Sequence, residues 1–375
     1  MGLQFNRRQW LKTSTLAFVG LMAGPGFIGC REQPSAPLSD SEGDTFIRID
    51  SNESPYGISK AAREAITSSM GQSNRYPHLH YPELEELIAE RENVTPDHIM
   101  LGAGSTEIMT TLIHLSKTKG EILIADPTYF DFVYYAVKSD CPLNKVPLND
   151  NFEHDVDAMQ NQLRSQTALV YICNPNNPTG SITPKDKLFS FCDQASQRAL
   201  VVVDEAYHEY VEDPAYTSMI ELVREGKNVI ITRTFSKIFG LAGLRIGYGM
   251  AQPETIKELK KMERNFASIS WLSLKAAIAS YQDRSFLQYV REKNEEVKLY
   301  LYEELKRLGY PHVLSHTNFV LFKTSQDALT MVEEFKKRHI LVRAFEINRD
   351  HWIRVSLGTF GEIQAFVSAL EEISF

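Results

Sequence analysis

"ALVVVDEAY", residues 199 to 207, runs through five apolar residues, meets a carboxylate at Asp204 and ends on Tyr207. An unbroken apolar run of this length fits a strand buried on both faces, as in a parallel sheet covered by helices. The pattern recurs at "EILIA" (121–125), "ALVYIC" (168–173) and "NVIITR" (228–233). Helical patterns separate these runs. One is predicted from Pro82 to about Asn93, with Pro82 in its first turn and Leu84, Leu87 and Ile88 on one face. Another starts at Ser105 and runs through "TEIMTTLIHLSK". Strands alternating with helices predict an α/β fold built on a mainly parallel sheet. Ligands of such sheets sit at the carboxyl ends of the strands, so the residues found there matter most.

Several strand ends carry chemistry. Asp204 leaves a carboxylate at the end of its strand, and Tyr207 follows one short turn later. "YICNPNNPTG" (171–180) breaks into a Pro/Asn/Gly turn that presents Asn177. "IADPTYF" (124–130) presents Tyr129, an aromatic face available for stacking. "LGAGSTE" (101–107) passes through two glycines into a helix start, where the amides of Ser105 and Thr106 can bind an anion. Taken singly, each has an ordinary reading as a cap, a turn or a loop.

"RTFSKIFGLAGLR" (233–245) adds an amine. Phe235, Ile238, Phe239, Leu241 and Leu244 flank Lys237, so the lysine is expected in a mostly apolar pocket, where desolvation would lower its pKa and make it nucleophilic. On this stretch alone, a lysine snorkelling to the surface is an equal alternative. The whole set calls for one ligand: an anion cradle, a carboxylate for a ring nitrogen, a stacking aromatic, donors for a ring oxygen and a lysine amine. That ligand is pyridoxal 5'-phosphate.

From about Ile47 to its end, the chain resembles the fold-type I aminotransferases, and most closely their histidinol-phosphate aminotransferase branch. The resemblance rests on "NESPYG", "NRYP", "GAGSTE", "PTY", "NPNNPTG", "DEAY", "TFSK" with Arg245, and "WIRVSLGT", in that order. It implies that Lys237 is the Schiff-base lysine. Thr234, Ser236 and Arg245 would bind the cofactor phosphate, with the backbone at Ser105 and Thr106. Tyr129 would stack on the ring, Asn177 and Tyr207 would donate to its oxygen, and Asp204 would keep its nitrogen protonated. Tyr76, in "NRYP", would reach the cofactor phosphate of a partner subunit, implying a homodimer. Arg354 would grip the substrate α-carboxylate, and Arg343, in "ILVRAF", would be a second substrate-facing arginine.

The resemblance thus implies an aminotransferase moving an amino group between an amino acid and a 2-oxo acid. A decarboxylase or lyase on the same scaffold, and a non-catalytic amino-acid-binding homologue, remain alternatives. Arg354 speaks for transamination; Lys237 and Asp204 together speak against a mere binder. One departure concerns the substrate. The histidinol-phosphate enzymes usually carry a tyrosine upstream of the "NESPYG"-type motif, and residues 31–45 contain none.

The 375 residues are 43% apolar and 23% charged, ample for a large core. A net charge of −8 argues against a nucleic-acid partner. The four cysteines have the spacing of neither a disulfide framework nor a zinc site, so no metal is expected. At the N-terminus, "NRRQWLK" (6–12) places Arg7 and Arg8 before a weakly apolar stretch, Thr13 to Ile28. This resembles a twin-arginine signal, read by export machinery that carries folded cargo, and makes the periplasm the expected location. "FIGC" (27–30) also resembles a lipoprotein cleavage site, which would leave a lipid anchor on Cys30; Phe27 is atypical there, and both outcomes remain open. The expected organisation is a signal segment at 1–30, a flexible linker at 31–45 and a large cofactor-binding domain at 70–280. Residues 46–69 and 281–375 are expected to form a smaller α/β domain.

Overall fold

The computed structural model describes residues 46–262 and 268–373. The signal segment and linker expected at 1–45, Cys30 included, lie outside the described residues. In chain order the strands are β1 (Ile47–Arg48), β2 (Ile99–Gly102), β3 (Glu121–Asp126), β4 (Leu143–Pro147), β5 (Thr167–Cys173) and β6 (Leu200–Asp204). They continue with β7 (Val229–Thr234), β8 (Gly247–Met250), β9 (Phe319–Thr324), β10 (Ile340–Leu341), β11 (Arg343–Ile347) and β12 (Asp350–Ser356).

Seven of these form the central sheet, in the order β2-β8-β7-β6-β5-β3-β4. The inner pairs β7–β6, β6–β5, β5–β3 and β3–β4 are parallel, and β8 runs antiparallel to both its neighbours. The apolar runs read from the sequence supply β3, β5, β6 and β7. Their side chains are buried on both faces: Val201 and Val203 belong to one apolar cluster and Val202 to another on the opposite side. Helices cover the sheet, including Tyr81–Glu92 and Ser105–Lys117, close to the ranges predicted. A mainly parallel sheet between helices is the α/β architecture expected.

A second core lies around the antiparallel sheet β11-β12-β9 and the helices Ala328–Lys337 and Phe360–Ile373. The segment 46–69 is divided between the two cores. Strand β1 pairs with β10, and Ile49 is buried in the smaller core. The helix Lys60–Ser69, capped by the Ser59 side chain, buries Ala62 in the larger one. The helix Arg284–Arg307, capped by Asp283, bridges both: Leu287 and Val290 pack in the larger core, Val297, Leu301 and Leu305 in the smaller.

Candidate active site

The strand ends converge on a cavity of about 320 Å³. Its walls include Ser105, Thr106, Tyr129, Asn177, Asp204, Tyr207, Thr234, Ser236, Lys237 and Arg245. A smaller adjoining cavity of about 130 Å³ adds Arg343 and Arg354 and shares Tyr129, Asn177 and Lys237. Twelve of the thirteen residues singled out in the sequence therefore stand together. The exception is Tyr76, which is 75% exposed and lines neither cavity.

The anion-binding end is assembled from two turns. Gly104, at φ +79°, turns the chain from β2 into the helix starting at Ser105, so that helix begins at the cavity wall. A Cβ on Gly104 would lie 2.6 Å from Arg245 Nη2, so the guanidinium rests directly over this glycine. Arg245 Nη1 also donates to the Ala242 carbonyl at 2.9 Å and approaches Ser236 Oγ at 3.4 Å. The Thr234 hydroxyl donates to Ser236 Oγ at 2.9 Å and accepts from the Ser236 amide at 3.1 Å. A guanidinium, two hydroxyls and the first amides of a helix make a donor set suited to a phosphate.

Asp204 is 2% exposed and holds two hydrogen bonds from protein hydroxyls, Tyr171 at 2.9 Å and Thr232 at 3.1 Å. Burial pushes its carboxyl up to about 6, and these bonds oppose the rise. The next residue, Glu205, turns to the other side and pins the strand end. It accepts from Arg233 Nε at 3.0 Å, the Ser218 hydroxyl at 2.8 Å and the Met219 amide at 2.8 Å.

The environment of Lys237 corrects the expectation of an apolar pocket. Phe235, Ile238, Phe239 and Leu241 are buried beneath the turn in the larger core, and Leu244 packs against that core. The lysine leaves the turn on the opposite side, because consecutive side chains of so tight a turn cannot all enter one core. Lys237 is half-buried, and its Nζ donates to the Asn52 carbonyl at 3.2 Å and lies 5.7 Å from the Tyr207 ring centre. Loss of hydration, reinforced by the Arg354 guanidinium, lowers this amine to about 8. The amine is activated as expected, but in a cavity lined mainly by polar groups.

Asn177 lines both cavities and links Tyr207 in the larger to Arg354 in the smaller. The Tyr207 hydroxyl accepts from Asn52 Nδ2 at 2.9 Å and from Asn177 Nδ2 at 3.4 Å. Asn177 Oδ1 in turn accepts from Arg354 Nη1 at 2.6 Å, while Arg354 Nη2 donates to the Asp50 carbonyl at 2.8 Å. Arg354 is 4% exposed, and the Phe319 and Phe345 rings both lie 5.3 Å from its Cζ. Arg343 stands opposite Arg354 in the β11–β12 register.

Four further residues bear on the site. Asn52 touches both Lys237 and Tyr207; Tyr171 and Thr232 hold Asp204; Asp131 accepts from the Tyr129 hydroxyl at 2.8 Å. The available signal was a hydroxyl-bearing residue inside an otherwise apolar strand, as at Tyr171 and Thr232. The residues present fit pyridoxal phosphate: the phosphate donors, a buried carboxylate, an aromatic face and an amine of lowered pKa share one cavity.

The sequence profile of aminotransferases class I and II matches residues 44–370. The histidinol-phosphate aminotransferase of Moorella thermoacetica is 37% identical over 330 residues, 87% of this chain and 85% of that protein. That of Caldicellulosiruptor saccharolyticus is 33% identical over 347 residues, 91% of this chain and 96% of that one. Among solved structures, histidinol-phosphate aminotransferase from Sinorhizobium meliloti, in complex with pyridoxal-5'-phosphate, superposes with a TM-score of 0.81 at 28% identity. The match covers 88% of this chain and 91% of the other. This agreement of sequence, fold and cavity over nearly all of the described chain makes it a member of the class I and II aminotransferases, dependent on pyridoxal phosphate.

Proposed function

We propose that the amino donor is an amino acid held through its α-carboxylate by Arg354, with Arg343 beside it taking a second anionic group. The observation that carries this reading is the lysine amine and the two arginines lining one small cavity. Pyridoxal phosphate, when bound, supplies an electron-withdrawing ring that stabilises negative charge on the carbon bearing the amino group. Thr234, Ser236, Arg245 and the amides of Ser105 and Thr106 would bind its phosphate. Tyr129 would stack on its ring, and Asn177 and Tyr207 would donate to its ring oxygen. Asp204 would hold a proton at the ring nitrogen. Lys237 takes the proton from the substrate Cα as a base and returns it as an acid. Its pKa near 8 suits both roles close to neutrality.

The relatives' name brings histidinol phosphate into consideration; it has no α-carboxylate, and its phosphate would take the place of that group beside the two arginines. A panel of glutamate, aromatic amino acids and histidinol phosphate, each offered to the loaded enzyme with a 2-oxo acid acceptor, tests the reading. Formation of the donor's carbonyl product supports it. Turnover of simple amines as fast as amino acids, with histidinol phosphate inert, would refute an anion-gripping pocket.

Two further readings belong to the same proposal. The enzyme works as a homodimer in which Tyr76 reaches the partner's cofactor phosphate; its exposure supports this. The chain is also exported to the periplasm through the twin-arginine route, supported by Arg7 and Arg8 ahead of a weakly apolar segment. A route for folded proteins lets the enzyme collect its cofactor in the cytoplasm first. Replacing both arginines with lysine should leave active, full-length protein in the cytoplasm. Undiminished delivery of active enzyme to the periplasm by that variant would exclude this route, and a cleaved product without lipid would exclude an anchor on Cys30.

A further inference from the structure

We infer that Tyr171 and Thr232 are positioning residues for the reaction, holding Asp204 as an oriented carboxylate from the side away from the cofactor. The inference rests on the reading of Asp204 as the partner of the ring nitrogen. Both donors come from the strands flanking β6. Thr232 stands opposite Asp204 in the β6–β7 register, and its hydroxyl reaches Oδ1 at 3.1 Å. Tyr171 stands opposite Val202, two residues before Asp204 and on the same face of the sheet, and its hydroxyl reaches Oδ2 at 2.9 Å. Each carboxylate oxygen thus has its own protein donor, and Asp204 still lines the cavity. Two separate donors fix the plane of the carboxylate as well as its charge.

The rest of Tyr171 is built to hold that one hydroxyl still. The residue is 0% exposed and lies in an apolar cluster. Its ring stacks on Phe132 with centroids 3.7 Å apart and planes 8° from parallel. Phenylalanine would fill the same space, so packing alone gives the hydroxyl no purpose; it donates to Asp204. Burial and the neighbouring carboxylate push the phenol well above its ordinary range, so it remains a donor throughout the working pH.

The other titratable groups facing Asp204 are Cys173 on β5, Tyr129, Tyr207 and Lys237. Burial pushes the thiol and both phenols up, which leaves them neutral; only Lys237 among them carries charge near pH 7. The charge of Asp204 is therefore decided by burial on one side and the two hydroxyls, with smaller pulls from the Ala206 amide and Lys237, on the other. With both donors the carboxyl sits at about 6 and is ionised at neutrality. Loss of one donor, worth about one pKa unit, would bring it close to 7.

The test uses the loaded enzyme and the variants Tyr171→Phe, Thr232→Val and Thr232→Ser. Cofactor affinity is measured by equilibrium dialysis across roughly pH 5–8, alongside kcat, KM and the thermal midpoint. Tyr171→Phe and Thr232→Val should each move the acid-side loss of affinity and of kcat upward by about one pH unit. Below that limb, affinity should fall about tenfold, while the KM for the amino acid stays unchanged. Thr232→Ser keeps the hydroxyl and should follow the parent. Profiles of Tyr171→Phe and Thr232→Val superimposable on the parent's, with only the thermal midpoint lowered, would reduce both residues to structural parts and overturn the inference. If Tyr171→Phe fails to fold, the Thr232 pair decides alone. A parent protein that retained pyridoxal phosphate equally well after Asp204→Ala would instead refute the underlying reading of Asp204.

Discussion

Replacing Asp204 with asparagine should make the cofactor-free protein more stable at neutral pH while making the enzyme worse. The carboxyl rises from 3.8 to about 6 on folding because it is buried. For an acid with a raised folded pKa, the folded state binds the proton more tightly than the unfolded state. Its stabilising contribution is complete below the unfolded pKa of 3.8 and is lost as pH rises through about 6. A rise of about two units corresponds to ~3 kcal/mol lost between the two limits. Asparagine carries no charge and escapes this loss. Its amide oxygen can accept from one of the Tyr171 and Thr232 hydroxyls, and its NH2 can donate to the other. Urea unfolding of cofactor-stripped parent and Asp204→Asn, at about pH 4 and about pH 8, measures the effect. The variant should gain up to ~3 kcal/mol relative to the parent on going from the lower to the higher pH. Equal pH dependence in the two proteins would refute the claim that burial of this carboxylate is held against folding stability.

Lys237→Ala should lower turnover by roughly 10³-fold or more and abolish the visible absorbance of covalently held cofactor, checked by steady-state assay and spectrum. In the parent, capture of pyridoxal phosphate by stripped protein should quicken as pH rises through about 8, where the amine loses its proton; stopped-flow absorbance reads this. Arg354→Lys should raise the amino-acid KM about tenfold or more, ~1.4 kcal/mol, with cofactor affinity little changed, because an ammonium cannot reproduce the planar two-point grip. Mixing Tyr76→Phe chains with Lys237→Ala chains should rebuild complete sites in mixed dimers, about a quarter of all sites at equal proportions, seen as recovered cofactor retention. No recovery on mixing would mean that Tyr76 serves no neighbouring subunit.

The α/β architecture was legible because strands buried on two faces must be apolar throughout, as "ALVVVD" and "ALVYIC" nearly are, and because such short runs alternate with helical patterns. The strand-end residues were legible for a related reason at β6, where the apolar run gives way to a carboxylate at Asp204 as the strand ends. The packing around Lys237 was not. An apolar neighbourhood in sequence says nothing about which side of a turn each residue takes, and here the phenylalanines face the core while the lysine faces the cavity. Asn52 was quoted in a motif without a role, because its contacts with the site come from Lys237 and Tyr207, far away in the chain. Tyr171 and Thr232 were hidden inside strands, where a hydroxyl acquires meaning only once the neighbouring strand is in register. Segment 46–69 divides between two cores for the same reason: contacts distant in sequence decide its place.

The helix Arg284–Arg307 gives the molecule a lever. Its 24 residues span about 36 Å, and each core grips one end. A bend of only about 5° at its middle would carry the far end about 1.5 Å sideways without breaking a turn, within the gentle curvature that long helices adopt. That end packs on β9, which pairs with β12, and β12 carries Arg354. Flexing this one rod would therefore shift Arg354 relative to Lys237 while leaving Lys237 and its sheet undisturbed.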